Sequence, residues 1–370
     1  MKEFSIFSKV IFDTSLRDYF NQSTFGRAMI VADPMMVKLG FVEKIGQTFQ
    51  REGKAFSLFD EITPDPTIET ISRGVCQMNQ FQPDCLVAIG GGSAIDAAKG
   101  MIWANYKLDQ AYKKPTLIAV PSTSGTGSEV TSFTVITNGQ DKKPYVDQRL
   151  VPDVAILDVD LVKTVPPKIT ADTGMDVLTH ALEAYVSTDA NAFTDALAEK
   201  TIQLVFENLL QVFREPENLK ARKRMHEASA MAGMAFTNSS LGINHSLAHA
   251  IGGVHHLPHG RINALLLPAV IDFNAKEQGE KYQYLAKLLG LPASTPEEGT
   301  GNLILAIEVL NEALEIEESF CCFDISKADY QNAAQQIAEF ALNDDCTKTN
   351  PREVDAEALQ EIYLSLYMKE

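Results

Sequence analysis

The sequence lacks paired cysteines, surplus positive charge and long apolar runs. It has five cysteines, Cys76, Cys85, Cys321, Cys322 and Cys346, and none falls in a C-x-x-C pair. An odd count without a pairing motif excludes a disulfide framework and a thiolate zinc site. Reduced thiols are expected. Lys plus Arg number 32 against 49 Asp plus Glu, a formal net charge of −17, and no basic cluster offsets this. Such a polyanion has no cationic face for phosphate backbones or anionic lipid, so neither nucleic acid nor membrane is an expected partner. No apolar run approaches the roughly 20 residues that span a bilayer. The start, Met1-Lys2-Glu3-Phe4-Ser5, has no apolar segment of a secretory signal. A cytoplasmic location is the expectation. Internal repeats and low-complexity tracts are also missing.

What remains is an ordinary globular composition, 45% hydrophobic and 22% charged over 370 residues. That length suits two domains. In the first 160 residues short apolar runs alternate with helical periodicity. Ala28–Ala32, Lys54–Phe59, Cys85–Ile89, Thr116–Val120 and Val154–Leu157 read as strands, and Ile68–Phe81 and Ala94–Trp103 as helices. This alternation predicts βαβ units and a mainly parallel sheet, with ligands at the C-terminal strand edges. After Pro166-Pro167 strand-like runs vanish. Helices are expected over 170–187, 191–213, 219–236, 241–253, 260–275, 300–315 and 353–369. The fold expected is an α/β domain over 1–167 followed by an all-α domain over 168–370.

Two loops are rich in donors. Gly90-Gly91-Gly92-Ser93 joins a buried strand to a helix, and Ser122-Thr123-Ser124-Gly125-Thr126-Gly127 follows the next strand. Glycines let a phosphate approach the backbone, and a helix N-terminus supplies N–H groups and partial positive charge; Ser93 is a candidate N-cap or phosphate donor. Neither a Walker loop nor a full G-x-G-x-x-G is present, since Ile95 takes the third glycine's place. Two such loops at one sheet edge point to a dinucleotide. Asp33, at the tip of the first of these strands, can accept from a ribose 2′-OH and would repel a 2′-phosphate, which favours NAD. The alternative for Asp33 is a carboxylate at a helix N-terminus.

Five of the seven histidines fall within fifteen positions: His245, His249, His255, His256 and His259. A sixth, His180, stands four residues after Asp176, and residues i and i+4 share a helix face. His245 and His249 repeat that spacing. Carboxylate plus imidazole, without thiolate, suits a divalent first-row metal such as Fe(II) or Zn(II). There are more candidates than four ligand positions, and spacing does not say which histidine is left out.

At these residues the chain resembles the iron-containing alcohol dehydrogenase family. The resemblance rests on four motifs in the family's order: Gly90 to Lys99, Pro121 to Glu129, Asp176 to Ala184, and His245 to Gly260. Within the family it looks most like the propanol dehydrogenases of bacterial propanediol utilisation, on Ile62 to Thr67 and Phe193 to Lys200. The resemblance implies a Rossmann-like first domain and a metal-binding helical second domain, with the metal between them. It implies Asp176, His180, His245 and His259 as metal ligands, and His249 as the non-ligand histidine that relays a proton, with His256 lining the same cleft. Gly90, Gly91, Gly92 and Ser93 match the pyrophosphate loop, Ser122, Thr123 and Thr126 the second cofactor loop, and Lys142 a lysine near the ribose. Asp65 stands where the family commonly has asparagine, and Ser122 replaces a usual threonine while keeping the hydroxyl.

The activity so implied is reversible, metal-dependent hydride transfer between NAD(H) and a short aldehyde or primary alcohol, with propanal and 1-propanol foremost. A homodimer or larger oligomer, and association with microcompartment proteins, follow from the same resemblance. Three other readings share parts of the pattern: a polyol dehydrogenase acting on 1,3-propanediol or glycerol, a dehydroquinate-synthase-like lyase, and a non-catalytic assembly subunit.

Overall fold

The computed structural model describes residues 3–138 and 141–368, with backbone alone for 138 and 141–143. The chain forms two compact units. One is Ser5–Thr164 and the other is Val165–Glu370, which the chain start up to Phe4 joins.

The first unit carries six parallel strands: β1 (Lys9–Phe12), β2 (Arg27–Ala32), β3 (Ala55–Phe59), β4 (Cys85–Gly90), β5 (Thr116–Pro121) and β8 (Val154–Leu157), in the order β1-β8-β5-β4-β2-β3. β6 (Phe133–Asn138) and β7 (Asp141–Val146) form a separate antiparallel hairpin. Successive side chains of a strand face opposite ways, and here they feed two cores. Met29, Val31, Leu86, Ala88, Leu117 and Ala119 pack against α4 (Ile68–Phe81) and α5 (Gly92–Leu108). Ala28, Ile30, Ala32, Val87, Ile89, Ile118 and Val120 pack on the opposite side. Their partners come from α1 (Leu16–Asn21), α2 (Pro34–Lys38), α3 (Phe41–Arg51) and α6 (Val159–Val162). All six residues of β4 are buried, as expected for a central strand covered on both faces. The strand order reverses direction between β2 and β4, the topological switch point where such sheets bind ligands.

The second unit is helical among its described residues. Its helices are α7 (Pro167–Val186), α8 (Ala192–Arg214), α9 (Leu219–Ser239), α10 (Ile243–His255), α11 (His259–Leu288), α12 (Pro296–Ala313), α13 (Lys327–Leu342) and α14 (Ala356–Ser365). α7 is its axis: from Thr170 to Val186 every residue but Thr173 is buried, because α8, α9 and α11 all pack on it. Capping residues define the starts. Asn191 and Thr194 form a capping box on α8, and Thr295, Ser326 and Asp355 cap α12, α13 and α14.

The parallel sheet and the helical second unit agree with the sequence reading, but several elements do not. β1 and the β6–β7 hairpin were not expected, being short or polar. Helix α5 begins at Gly92 with Gly91 as its N-cap, so Ser93 lies inside the first turn and caps nothing. Helix α11 runs past residue 275 to Leu288 through a kink at Gln278. It also tolerates Pro268. Proline lacks the N–H that would bond the Ala264 carbonyl, and Asn311 Nδ2 donates to that carbonyl instead, at 2.9 Å. Helix α13 was missed because its buried face is largely alanine, which gives little hydropathy contrast. Helix α14 is shorter than the 353–369 expected.

Candidate metal centre and nucleotide loops

In the first unit the two donor-rich loops lie side by side. The Ser122 amide donates to the Gly90 carbonyl at 2.9 Å. A Cβ placed on Gly91 would stand 3.7 Å from Thr123, and one on Gly92 3.0 Å from Thr126. Helix α5 has no side-chain cap, so its first-turn amides have no competing side-chain acceptor. Asp33 both caps a helix and faces the loop. Its Oδ1 accepts from the Met36 amide at 2.9 Å, while Oδ2 lies 2.4 Å from where a Cβ on Gly90 would be. Gly90 has φ +152°, a conformation open to glycine. Asp65 follows β3 with φ +55°, in the left-handed region that Asp and Asn tolerate. Lys142 pairs in register with Thr137 in the hairpin, and its side chain lies outside the described residues.

Beneath these loops is a buried polar knot that the sequence reading missed. Lys99 is fully buried. Its Nζ donates to Ser128 Oγ (3.1 Å), Thr131 O (2.8 Å), Thr131 Oγ1 (3.2 Å) and Phe133 O (2.7 Å). Asp96 accepts from Ser128 Oγ at 2.7 Å and from the Val135 amide at 3.2 Å. The segment after the second loop is thereby tied to α5, which carries the first. Burial pushes Glu129 up to about 7 and Lys99 down to about 8, with their mutual attraction opposing both shifts.

In the second unit the candidate ligands arrive from three helices. Helix α7 brings Asp176 and His180, α10 brings His245, and α11 begins at His259. Donor atoms of Asp176, His180 and His245 lie within 4.8 Å of one another. His245 Nε2 and His259 Nε2 each stand 3.6 Å from Asp176 Oδ1. The His180 and His245 rings stack at 4.4 Å. Close approach of α11 to α7 depends on Gly260, where a Cβ would meet the Asp172 carbonyl oxygen at 2.1 Å.

The donor set fits a divalent cation. Asn263 Nδ2 sits 2.7 Å from Asp176 Oδ1, 3.3 Å from His245 Nε2 and 3.1 Å from His259 Nε2. An amide nitrogen thus occupies a point that one carboxylate oxygen and two imidazole nitrogens face. Asp176 and Glu183 are buried and have no Lys or Arg partner among the described residues. Burial opposes the His245 imidazolium, but Glu183 and Asp176 outweigh it and lift His245 to about 9. Burial also opposes ionisation of Asp176, yet the surrounding imidazoles hold it below the usual carboxylate range.

His249 lies beside this group, its ring stacked on His259 at 5.3 Å, and Asp344 Oδ2 is 2.8 Å from its Nδ1. His255 Nε2 meets the Tyr363 hydroxyl at 2.8 Å, His256 is an exposed left-handed cap of α10, and His226 is buried in α9. Glu183, Asn263 and Asp344 were missed by sequence reasoning. Two left a signal: Glu183 stands at i+7 from Asp176 on the same helix, and Asn263 at i+4 from His259. Asp344 left none.

Comparison with known proteins agrees with this geometry. The family model for iron-containing alcohol dehydrogenase matches residues 8–159, and that for the C-terminal part of the Fe-containing alcohol dehydrogenase family matches 170–367. The chain belongs to the iron-containing alcohol dehydrogenase family. It is 42% identical to 1-propanol dehydrogenase PduQ of Citrobacter freundii, over 98% of this chain and 99% of that one. It is 40% identical to the NADPH-dependent butanol dehydrogenase of Clostridium saccharobutylicum, over 92% and 91%. A solved 1,3-propanediol oxidoreductase superposes with a TM-score of 0.92 at 33% identity, over 99% of this chain and all of that one. Among the described residues no helix is long and apolar enough to cross a membrane.

Proposed function

We propose that this enzyme interconverts short aldehydes and primary alcohols with NAD(H), with propanal and 1-propanol as its pair. The observation that carries the reading is the convergence of Asp176, His180, His245 and His259, which we assign as the ligands of Fe(II), with Zn(II) as an acceptable substitute. When bound, such a metal supplies Lewis acidity toward the substrate oxygen, and the nicotinamide carries the hydride.

The chain's own groups do the rest. Asp176 contributes the one anionic ligand. His249, held by Asp344 and outside the ligand set, hands the substrate hydroxyl proton to solvent. The amides at Gly91, Gly92 and Ser93, with the hydroxyls of Ser122, Thr123 and Thr126, cradle the pyrophosphate. Asp33 Oδ2, beside Gly90, accepts from the ribose and disfavours a 2′-phosphate. Asp65 and Lys142 are assigned to the ribose side of the same site.

A second reading is favoured by the relatives. The butanol dehydrogenase is named for NADPH and the structural neighbour for 1,3-propanediol, and one methylene changes binding by only about 1–3 kcal/mol. An aldehyde series assayed with NADH and NADPH, on anaerobically purified protein of known metal content, separates the two. The proposal extends to a cytoplasmic homodimer or larger oligomer housed in a bacterial microcompartment, as the likeness to propanediol-utilisation enzymes suggests. His259→Ala is expected to lose both metal and turnover. Full activity in that variant would sink the ligand assignment.

A further inference from the structure

Glu183 is 4% exposed and sits two turns beyond Asp176 on α7. A buried carboxylate is costly unless paired, and no Lys or Arg pairs with it among the described residues. Its two oxygens are nonetheless fully directed. Oε1 accepts from the Asn244 amide at 2.7 Å, and Oε2 accepts from His245 Nδ1. Gly242 leaves space for this carboxylate: a Cβ there would stand 2.8 Å from Oε1. The Asn244 contact matters because Asn244 precedes His245, so one carboxylate grips both the backbone and the ring of the same turn.

We propose that Glu183 is a positioning residue for the metal centre. By accepting a hydrogen bond from Nδ1–H it holds the His245 ring with Nε2 turned toward Asp176 Oδ1, 3.6 Å away. It also supplies the second negative charge, so that one divalent cation against Asp176 and Glu183 leaves the buried site neutral. Partners of this kind orient a ligand ring and raise its basicity. The inference rests on the metal-centre reading above and adds a residue to it.

The test is Glu183→Gln, which keeps the shape and removes the charge. Co(II) affinity of the full chain is measured by chelator competition, alongside the visible d–d spectrum and thermal unfolding of metal-free protein. Weakening of about 10- to 100-fold, with an altered d–d spectrum, is expected. A purely structural glutamate would lower the unfolding temperature while folded protein kept wild-type affinity and spectrum, and that result overturns the proposal. Should E183Q fail to fold, Glu183→Asp decides. It keeps the charge but retracts it from Nδ1, so loss of affinity supports the proposal and unchanged affinity and spectrum overturn it. Wild-type protein that binds no Co(II) would instead overturn the metal centre itself.

Discussion

Arg261 Nε donates to Asp172 Oδ1 at 2.7 Å, and the guanidinium also reaches Glu317 Oε2 at 2.6 Å. Arg261 is two residues past His259, and Asp172 is one turn before Asp176. The pair therefore fixes the start of α11 against α7 and, with it, the distance between two candidate ligands. Gly260 lies in the same contact, which is why the helices can close so tightly.

Removing one member of such a buried pair leaves an unpaired charge. Arg261→Met is expected to destabilise the protein by about 3–5 kcal/mol and to lower metal content per folded chain. Denaturant unfolding and elemental analysis measure both. Wild-type stability together with full metal would show that the pair does not set the helix contact.

Asp344 stands in the same relation to His249 as Glu183 does to His245, but outside the proposed ligand set. Burial disfavours its charge. His249 more than compensates and holds Asp344 below the usual carboxylate range. Asp344→Asn should leave metal content unchanged and lower kcat roughly tenfold to a hundredfold, less than the full worth of a proton relay. Loss of metal in parallel with activity would argue that the residue supports the ligands rather than His249.

The buried knot under the cofactor loops predicts a pH effect on stability. Burial raises Glu129 from its ordinary 4.5 to about 7. The folded state thus prefers the protonated acid. The corresponding stability is fully present below about 4.5 and is lost as pH rises through about 7. Glu129→Gln removes this dependence, so the variant should gain on the wild type between pH 5 and 7.5, by on the order of 3 kcal/mol at most. Melting curves that stay parallel across that range would refute the assignment.

Much of the site was visible in the linear order. Asp176 and His180, and His245 and His249, are four apart, and helical pitch alone puts each pair on one face. The Gly90–Ser93 loop was legible because an apolar run led into it. Lys99 closed one of the motifs with no role attached to it, and only the fold shows it buried under four oxygen acceptors. The Ser93 cap was misplaced because helix starts depend on where the backbone turns, and Gly91 made that turn first.

Linear order alone supplied most of the elements, though not β1, the β6–β7 hairpin or α13, and all of the chemistry on offer. Periodicities of two and 3.6 report which side of a segment avoids water, and side-chain type sets what each residue can donate, accept or ligate. The tertiary structure decided which of the seven histidines meet Asp176 and which carboxylates stand behind them. It brought Asp344 to His249 across 95 positions and Glu183 to His245 across 62. Pairings at that separation come from how α7 and α10 both pack on α11 and how α13 packs on α10, and packing depends on summed contacts over whole helix faces that no local pattern encodes.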